Sequence, residues 1–348
     1  METVFNGTLR FNPEELTVSA VITTISSFLS ILGGLVLIWS YLFVSSTRNT
    51  VRLMLIALTL ADIITALGYL MASVRWYSIG KHNVNTSVSE SDDFCKVQSF
   101  ITTYLSIASF LWTSFIAIYL FICVWFSRVL HLSGVKFILL HVVAWGIPGI
   151  ITTVALKIGV LGRSESLQGI NGVWCWLAVT SNNQNGILWM LLAGKGWEIL
   201  TYLITATLYI LLKGKGFFYR KRRSQFLWNQ ISAGLRREDE LFCFTWLILY
   251  CLRIWGTVRF FLDIVKVNND NAELAFLMLQ SYGDSAQAFW NFILFCVCDE
   301  TVRSYILGRY STCCGNTSAL SNTQESMERP DMQYIDDEER PLLRNPDL

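Results

Sequence analysis

What most limits this chain is its succession of long apolar runs. A helix that crosses a bilayer needs about 20 mostly apolar residues. Seven stretches meet that length: Val18–Phe43, Leu53–Val74, Cys95–Trp125, Phe137–Val160, Ile187–Leu212, Leu241–Val265 and Leu274–Val297. Only 15% of the 348 residues are charged while 53% are hydrophobic, against about 25% charged in soluble domains. The expected fold is all-α, a seven-transmembrane helix bundle over 18–298. An N-terminal arm (1–17) precedes it. A short amphipathic juxtamembrane helix (299–310) and a disordered tail (311–348) follow. The third, fifth and sixth runs carry polar residues, as bundle helices with inner faces do. No repeat relates the two halves, which counts against transporters built from duplicated units.

Orientation follows from the basic residues of the short loops. One set of loops holds Arg48, Arg52, Arg128, Lys136, Lys213, Lys215, Arg220, Lys221, Arg222, Arg223, Arg236 and Arg237. The opposite set holds Arg75, Lys81, Lys96, Lys157, Arg163 and Lys266. The richer set belongs inside, so the N-terminus is expected outside and the C-terminus in the cytoplasm. Met1 to Glu15 holds three acids and no apolar core of a cleavable signal. The first run is therefore expected to act as both targeting signal and span.

Smaller features agree with that orientation. Asn6 and Asn85 head glycosylation triplets on the outer side; a third, at Asn316, falls inside and should stay unused. Of the nine cysteines only Cys95 and Cys175 lie on the oxidising face. A disulfide between them would pin the loop between helices 4 and 5 over the bundle mouth; the competing reading is two free thiols. Cys313 and Cys314 follow the amphipathic stretch and read as palmitoylation sites, or as ordinary cytosolic thiols. The tail is poor in apolar residues. Its Ser318, Ser321, Thr323 and Ser326 can accept phosphate. Glu338 with Leu342 and Leu343 resembles an acidic dileucine sorting signal, with a solvated charge run as the alternative. Arrestin and clathrin adaptors are the partners such a tail implies.

Local motifs carry a family resemblance. Trp112, Tyr119 and Leu120 in helix 3, Trp145-Gly146-Ile147-Pro148 in helix 4 and Cys175-Trp176 in the following loop resemble secretin-type seven-helix receptors. Ile116 stands where that family has an acid. Asp-Arg-Tyr and Asn-Pro-x-x-Tyr signatures of rhodopsin-type receptors are missing. The mixture looks like the cyclic-AMP-receptor-like group. The runs His141–Thr152, Leu188–Leu200 and Leu252–Phe260 look close to an animal orphan receptor of that group. The resemblance covers about Val18 to Tyr310. It implies a receptor that activates heterotrimeric G proteins and then phosphoinositide, calcium or cAMP signalling. It names no ligand.

Charges inside the hydrocarbon cost roughly 3 kcal/mol or more each on insertion scales, so they face the interior and find partners. Here they are Asp62, His141, Lys195, Glu198, Arg253, Arg259, Asp263 and Asp284. Lys195 and Glu198 lie three apart, Arg259 and Asp263 four apart, each pair on one helix face. They either neutralise each other or Lys195 and Arg259, with Arg253, line an anion pocket in the outer half of the bundle, Glu198 beside them and Trp112, Trp189, Trp197 and Trp255 as its walls. Asp62 is a candidate partner for Asn291 or an ion. With Asp284, Gln287 and Asn291 it would form a switch. Gly256 is the one break in mid-helix 6, serving either an outward swing or a tight helix contact. Arg220 to Arg223 can meet anionic membrane lipid or the G protein.

Other classes fit less well. A retinal protein needs a lysine in helix 7, and none is there. A seven-helix metal hydrolase needs clustered histidines, whereas His82, His131 and His141 fall outside, inside and within the membrane. Neither cofactor nor metal nor enzymatic activity is expected, and no nucleic acid. A channel or transporter is the alternative. The arm of about 17 residues has no cysteine, so a large peptide caught by a disulfide-bonded domain is not expected. A small molecule or a still unknown extracellular ligand entering the bundle, or constitutive activity with none, fits better. The expected address is the plasma membrane, with ciliary or endosomal pools left open.

Overall fold

The computed structural model describes residues 11–45, 48–79, 92–126, 132, 134–162, 172–178, 184–222, 247–248, 250–266, 270–299 and 302–305. Asn6, Asn85, Arg128, Cys313, Cys314, Glu338, Leu342 and Leu343 lie outside them, as do 306–310 of the expected juxtamembrane helix. The chain divides into two compact units, Met1–Arg303 and Ser304–Leu348. Of the second, only residues 304 and 305 are described, both helical.

Helix α1 (Pro13–Phe43) starts inside the expected arm, because the residues there build a helix start. Pro13 needs no amide partner at the first position, and the Glu15 carboxylate accepts the Asn12 N–H at 2.8 Å. Helix α2 (Thr50–Ile79) is opened by Asn49, whose Oδ1 accepts the Arg52 N–H at 2.8 Å. Helices α3 (Asp92–Phe126) and α4 (Gly134–Lys157) follow. The short antiparallel pair β1 (Leu161–Gly162) and β2 (Trp176–Leu177) comes next.

The fifth span is composite: α5 (Gln184–Met190), a π-helical stretch (Leu191–Lys195) and α6 (Gly196–Arg222). Helix α7 covers 250–265. The seventh span is α8 (Asp270–Gly283), a break at 284–286, α9 (Gln287–Phe292) and a second π-helical stretch (Ile293–Val297). Among the described residues, α1 to α4 and the fifth span are each long and apolar enough to cross a bilayer.

The seventh apolar run is thus a broken helix. No proline makes the break. Ser30 of α1 does, its Oγ accepting the N–H groups of Ala288 and Phe289 at 3.1 and 3.3 Å. A helix can be interrupted in lipid only where another element takes up the freed amides. Ser19 to Ser281 (2.7 Å) and Ser26 to Ser285 continue the same hydroxyl seam between α1 and the seventh span.

The bundle buries polar side chains beside its apolar clusters and turns apolar faces outward. Ser19, Thr23, Ser30, Asp62, Ser109 and Asn291 are buried, while Val142, Ile150, Leu203 and Ile210 are exposed on α4 and α6. Inward polar groups and outward apolar faces match a lipid surround. α3 runs through the middle, packing on α2, α4 and α6. Trp112 of α3 meets His141 and Trp145 of α4 edge-on, with centroids 4.7 and 6.3 Å apart. At Gly283 a Cβ would come within 1.9 Å of the Leu252 carbonyl oxygen. That glycine lets α7 and α8 touch backbone to backbone.

Candidate ligand site

A disulfide joins Cys95 at the start of α3 to Cys175 beside β2, with Cα atoms 5.3 Å apart. Gln98, one turn along α3, accepts the Cys175 N–H at 2.8 Å. The β1–β2 pair holds the other side of the same loop, with Ala178 N–H reaching Val160 O at 2.8 Å. These ties hold the Trp174–Trp176 segment across one end of the bundle. Beneath it lies a cavity that opens to the outside of the protein.

Four ionisable side chains other than tyrosine line this cavity: Lys195, Glu198, Arg253 and Asp284. The π-helical stretch brings the first two inward. Its wider turn shifts the register so that Lys195 and Glu198 are both buried while Leu192 faces out. Lys195 Nζ and Glu198 Oε2 are 2.7 Å apart. Glu198 Oε1 also accepts the hydroxyls of Tyr202 (2.8 Å) and Thr257 (2.6 Å). This carboxylate is saturated from three directions.

Asp284 is held differently. It accepts from Gln280 Nε2 at 2.9 Å and lies 3.5 Å from the Tyr69 hydroxyl, both neutral donors. Gln280 in turn accepts Arg259 Nη1 at 2.6 Å. Arg253 stands apart from all of these. Its guanidinium lies over the Phe110 ring, 5.0 Å from the centroid, and the residue is only 4% exposed. Among the described residues it makes no hydrogen bond or ion pair, and its Nε is buried without an acceptor. A buried guanidinium carries five donors.

A second polar centre lies deeper. Asp62 accepts Ser109 Oγ at 2.7 Å and Asn291 Nδ2 at 3.2 Å. Asn291 Oδ1 and Gln287 Oε1 are buried without a donor.

The residues expected to line an anion pocket separate in the structure. Lys195, Glu198 and Arg253 do line the cavity. Arg259 reaches its edge only through Gln280. Asp263, expected to partner Arg259, leaves Oδ2 without a hydrogen bond. None of the four expected tryptophans is a wall. Trp112 packs toward α4, Trp189 joins an apolar cluster around Phe260, and Trp255 stacks on Phe276. Trp197 donates to the Leu192 carbonyl that the π-helical stretch frees. Tyr69, Phe110, Trp174 and Trp176 are the walls instead.

Gly256 sits at a tight contact. A Cβ there would come within 2.8 Å of Lys195 Nζ and 2.9 Å of Gln280 Nε2. Sequence reasoning missed Gln280 and Tyr202, although each lies four residues from an acid of its own span and spacing alone flags them. It also missed Arg52, counted above as a loop charge. Arg52 is buried and pairs with Asp299 at 2.6 Å.

A model of the seven-transmembrane receptors of the secretin family matches residues 16–225. The chain belongs to that family. The receptor is 27% identical over 303 residues to G-protein coupled receptor 157 of Mus musculus, spanning 84% of this chain and 85% of the relative. The protein of the same name from Homo sapiens is 28% identical over 298 residues, 84% of each chain. Cyclic AMP receptor-like protein A of Dictyostelium discoideum is 27% identical over 168 residues, 48% of this chain and 39% of that one. Squid rhodopsin superposes with a TM-score of 0.63 at 13% identity, covering 88% and 89% of the two chains, so the seven-helix fold is shared. The receptor is thus a multi-pass membrane protein that couples an extracellular ligand to a heterotrimeric G protein, and it is not an enzyme. The channel or transporter alternative finds no support.

Proposed function

We propose that the Cys95–Cys175 end faces the outside of the cell and that the cavity beneath it takes a small extracellular ligand. Binding there would bias the bundle toward the form that engages a G protein at the opposite end. The observation that carries this reading is Arg253, a buried cation with no hydrogen bond or ion pair among the described residues, lining a cavity roofed by a disulfide-tied loop. A buried charge held by no direct contact is costly, and ligand sites are where such groups gather. Asp62, Ser109 and Asn291, with Asp284, Gln287 and Gly256, make the switch between the two ends.

The same reading puts the receptor in the plasma membrane with its N-terminus outside, and ciliary or endosomal pools set by the tail. Asn6 and Asn85 then carry glycans, and Cys313 and Cys314 palmitate. Arg220 to Arg223 meet anionic lipid. The tail, with Glu338, Leu342 and Leu343, meets arrestin and clathrin adaptors.

The test is expression in cells lacking single Gα families, with basal cAMP and inositol phosphate recorded against surface level. A signal that rises with surface receptor and disappears with one Gα family is expected. A current or solute uptake that persists in every Gα-deleted line would contradict the reading.

A further inference from the structure

We propose that the cavity ligand is a small zwitterion, its carboxylate held by Arg253 and its ammonium group by Asp284; this rests on the cavity being the receptor's ligand site. Of the four charges that line the cavity, Lys195 and Glu198 cancel each other across 2.7 Å. Arg253 and Asp284 remain, one cation and one anion. Arg253 has an aromatic ring beneath it and no acceptor. Asp284 has two neutral donors and, among the described residues, no ion pair.

Charge balance selects the ligand class. The lining sums to zero (Lys195 and Arg253 against Glu198 and Asp284). A lone anion would satisfy Arg253 but add a second negative group beside Asp284. A lone cation would do the reverse. A ligand with both charges satisfies both residues and leaves no net charge buried, the condition that a low-dielectric site imposes.

The local geometry suits each half. A guanidinium offers parallel N–H donors that match the two oxygens of a carboxylate, and the Phe110 ring 5.0 Å from Arg253 accepts no hydrogen bond in their place. Near Asp284, Tyr69 meets Trp174 edge-on at 5.5 Å. Both rings line the cavity, and an ammonium group is attracted to such faces. Gln280 holds Asp284 through Nε2 while Arg259 holds Gln280 through Oε1, so the carboxylate stands on a fixed support.

The experiment uses the purified full-length receptor, with thermal shift as the first readout and G-protein nucleotide exchange in membranes as the second. Probes are L-phenylalanine and γ-aminobutyrate, zwitterions of short and long charge separation, with 3-phenylpropionate and phenethylamine as single-charge counterparts. The expected result is a saturable shift with at least one zwitterion and none from either single-charge probe at equal concentration. Arg253→Lys keeps the charge but loses the fork, and Asp284→Asn loses the countercharge. Each should weaken the zwitterion by about tenfold or more, as removal of a charge-assisted hydrogen bond does. Leu203→Ala, exposed on α6 and outside the cavity, should bind like the parent. An equal response to a single-charge probe, no response to either zwitterion, or wild-type affinity in both charge variants would overturn the proposal. Basal nucleotide exchange without any probe separates the two levels. If it persists while zwitterions fail, the ligand class is wrong; if it is absent under every condition, the receptor reading fails first.

Discussion

Arg52 and Arg253 are equally buried, at 5% and 4% exposure, but only one of them is satisfied. Arg52 pairs with Asp299 at 2.6 Å, donates to the Phe295 carbonyl at 2.8 Å and lies over the Phe295 ring. Asp299 also accepts the Val302 N–H at 3.3 Å. Packed around this lock is the largest apolar cluster, from Leu37 and Met54 to Phe295 and Val302. At the disulfide end Arg253 has a ring and a cavity. A charge that the fold itself closes serves stability; a charge left open across a cavity is, in the proposed function, met by the ligand. The two arginines differ in whether the chain itself supplies a direct partner.

Substitutions can break or sharpen that contrast. The largest effect is expected at the closed end. Arg52→Met strands the Asp299 carboxylate and should cost about 3–5 kcal/mol, read as a fall in melting temperature and surface yield. Arg52→Met with Asp299→Leu should recover most of that loss, because an apolar pair of similar volume needs no counterion. Next comes the roof. Cys175→Ser should cost about 2–4 kcal/mol and release the Trp174–Trp176 segment from α3, seen as faster hydrogen exchange at 172–178. Gly256→Ala pushes on Lys195 Nζ and Gln280 Nε2, an overpacking worth about 1–3 kcal/mol. It should impair ligand response more than folding, checked by dose–response at matched surface level. Trp255→Phe, which keeps a ring against Phe276, should lie within about 0.5 kcal/mol of the parent.

The sequence reveals the spans better than the site. The first four helices are legible because lipid demands one long apolar run per crossing. The disulfide is legible because only two cysteines fall on one face. The Lys195–Glu198 pair follows from a spacing of three. What stays hidden depends on partners remote in sequence. The break in the seventh span is set by Ser30, 258 residues before Ala288. Arg52 looks like a loop charge until α2 begins at Thr50 and turns it inward toward Asp299. Trp112, Trp189, Trp197 and Trp255 do not line this cavity, because helix rotation, not residue type, decides which side chain meets it. Lys195 and Trp197 are two apart on one span, and the π-helical stretch sends only the first inward.

One paired measurement bears most directly on the contrast between the ends: melting temperatures of the unliganded, purified receptor carrying Arg52→Met or Arg253→Met. Arg52→Met should melt well below the parent. Arg253→Met should lose clearly less than Arg52→Met, since it breaks no hydrogen bond or ion pair and gives up only the Phe110 ring contact and the charge balance with Asp284 across the cavity. Equal losses from both would mean that Arg253 is already paired within the fold, and the open cavity site would have to be abandoned.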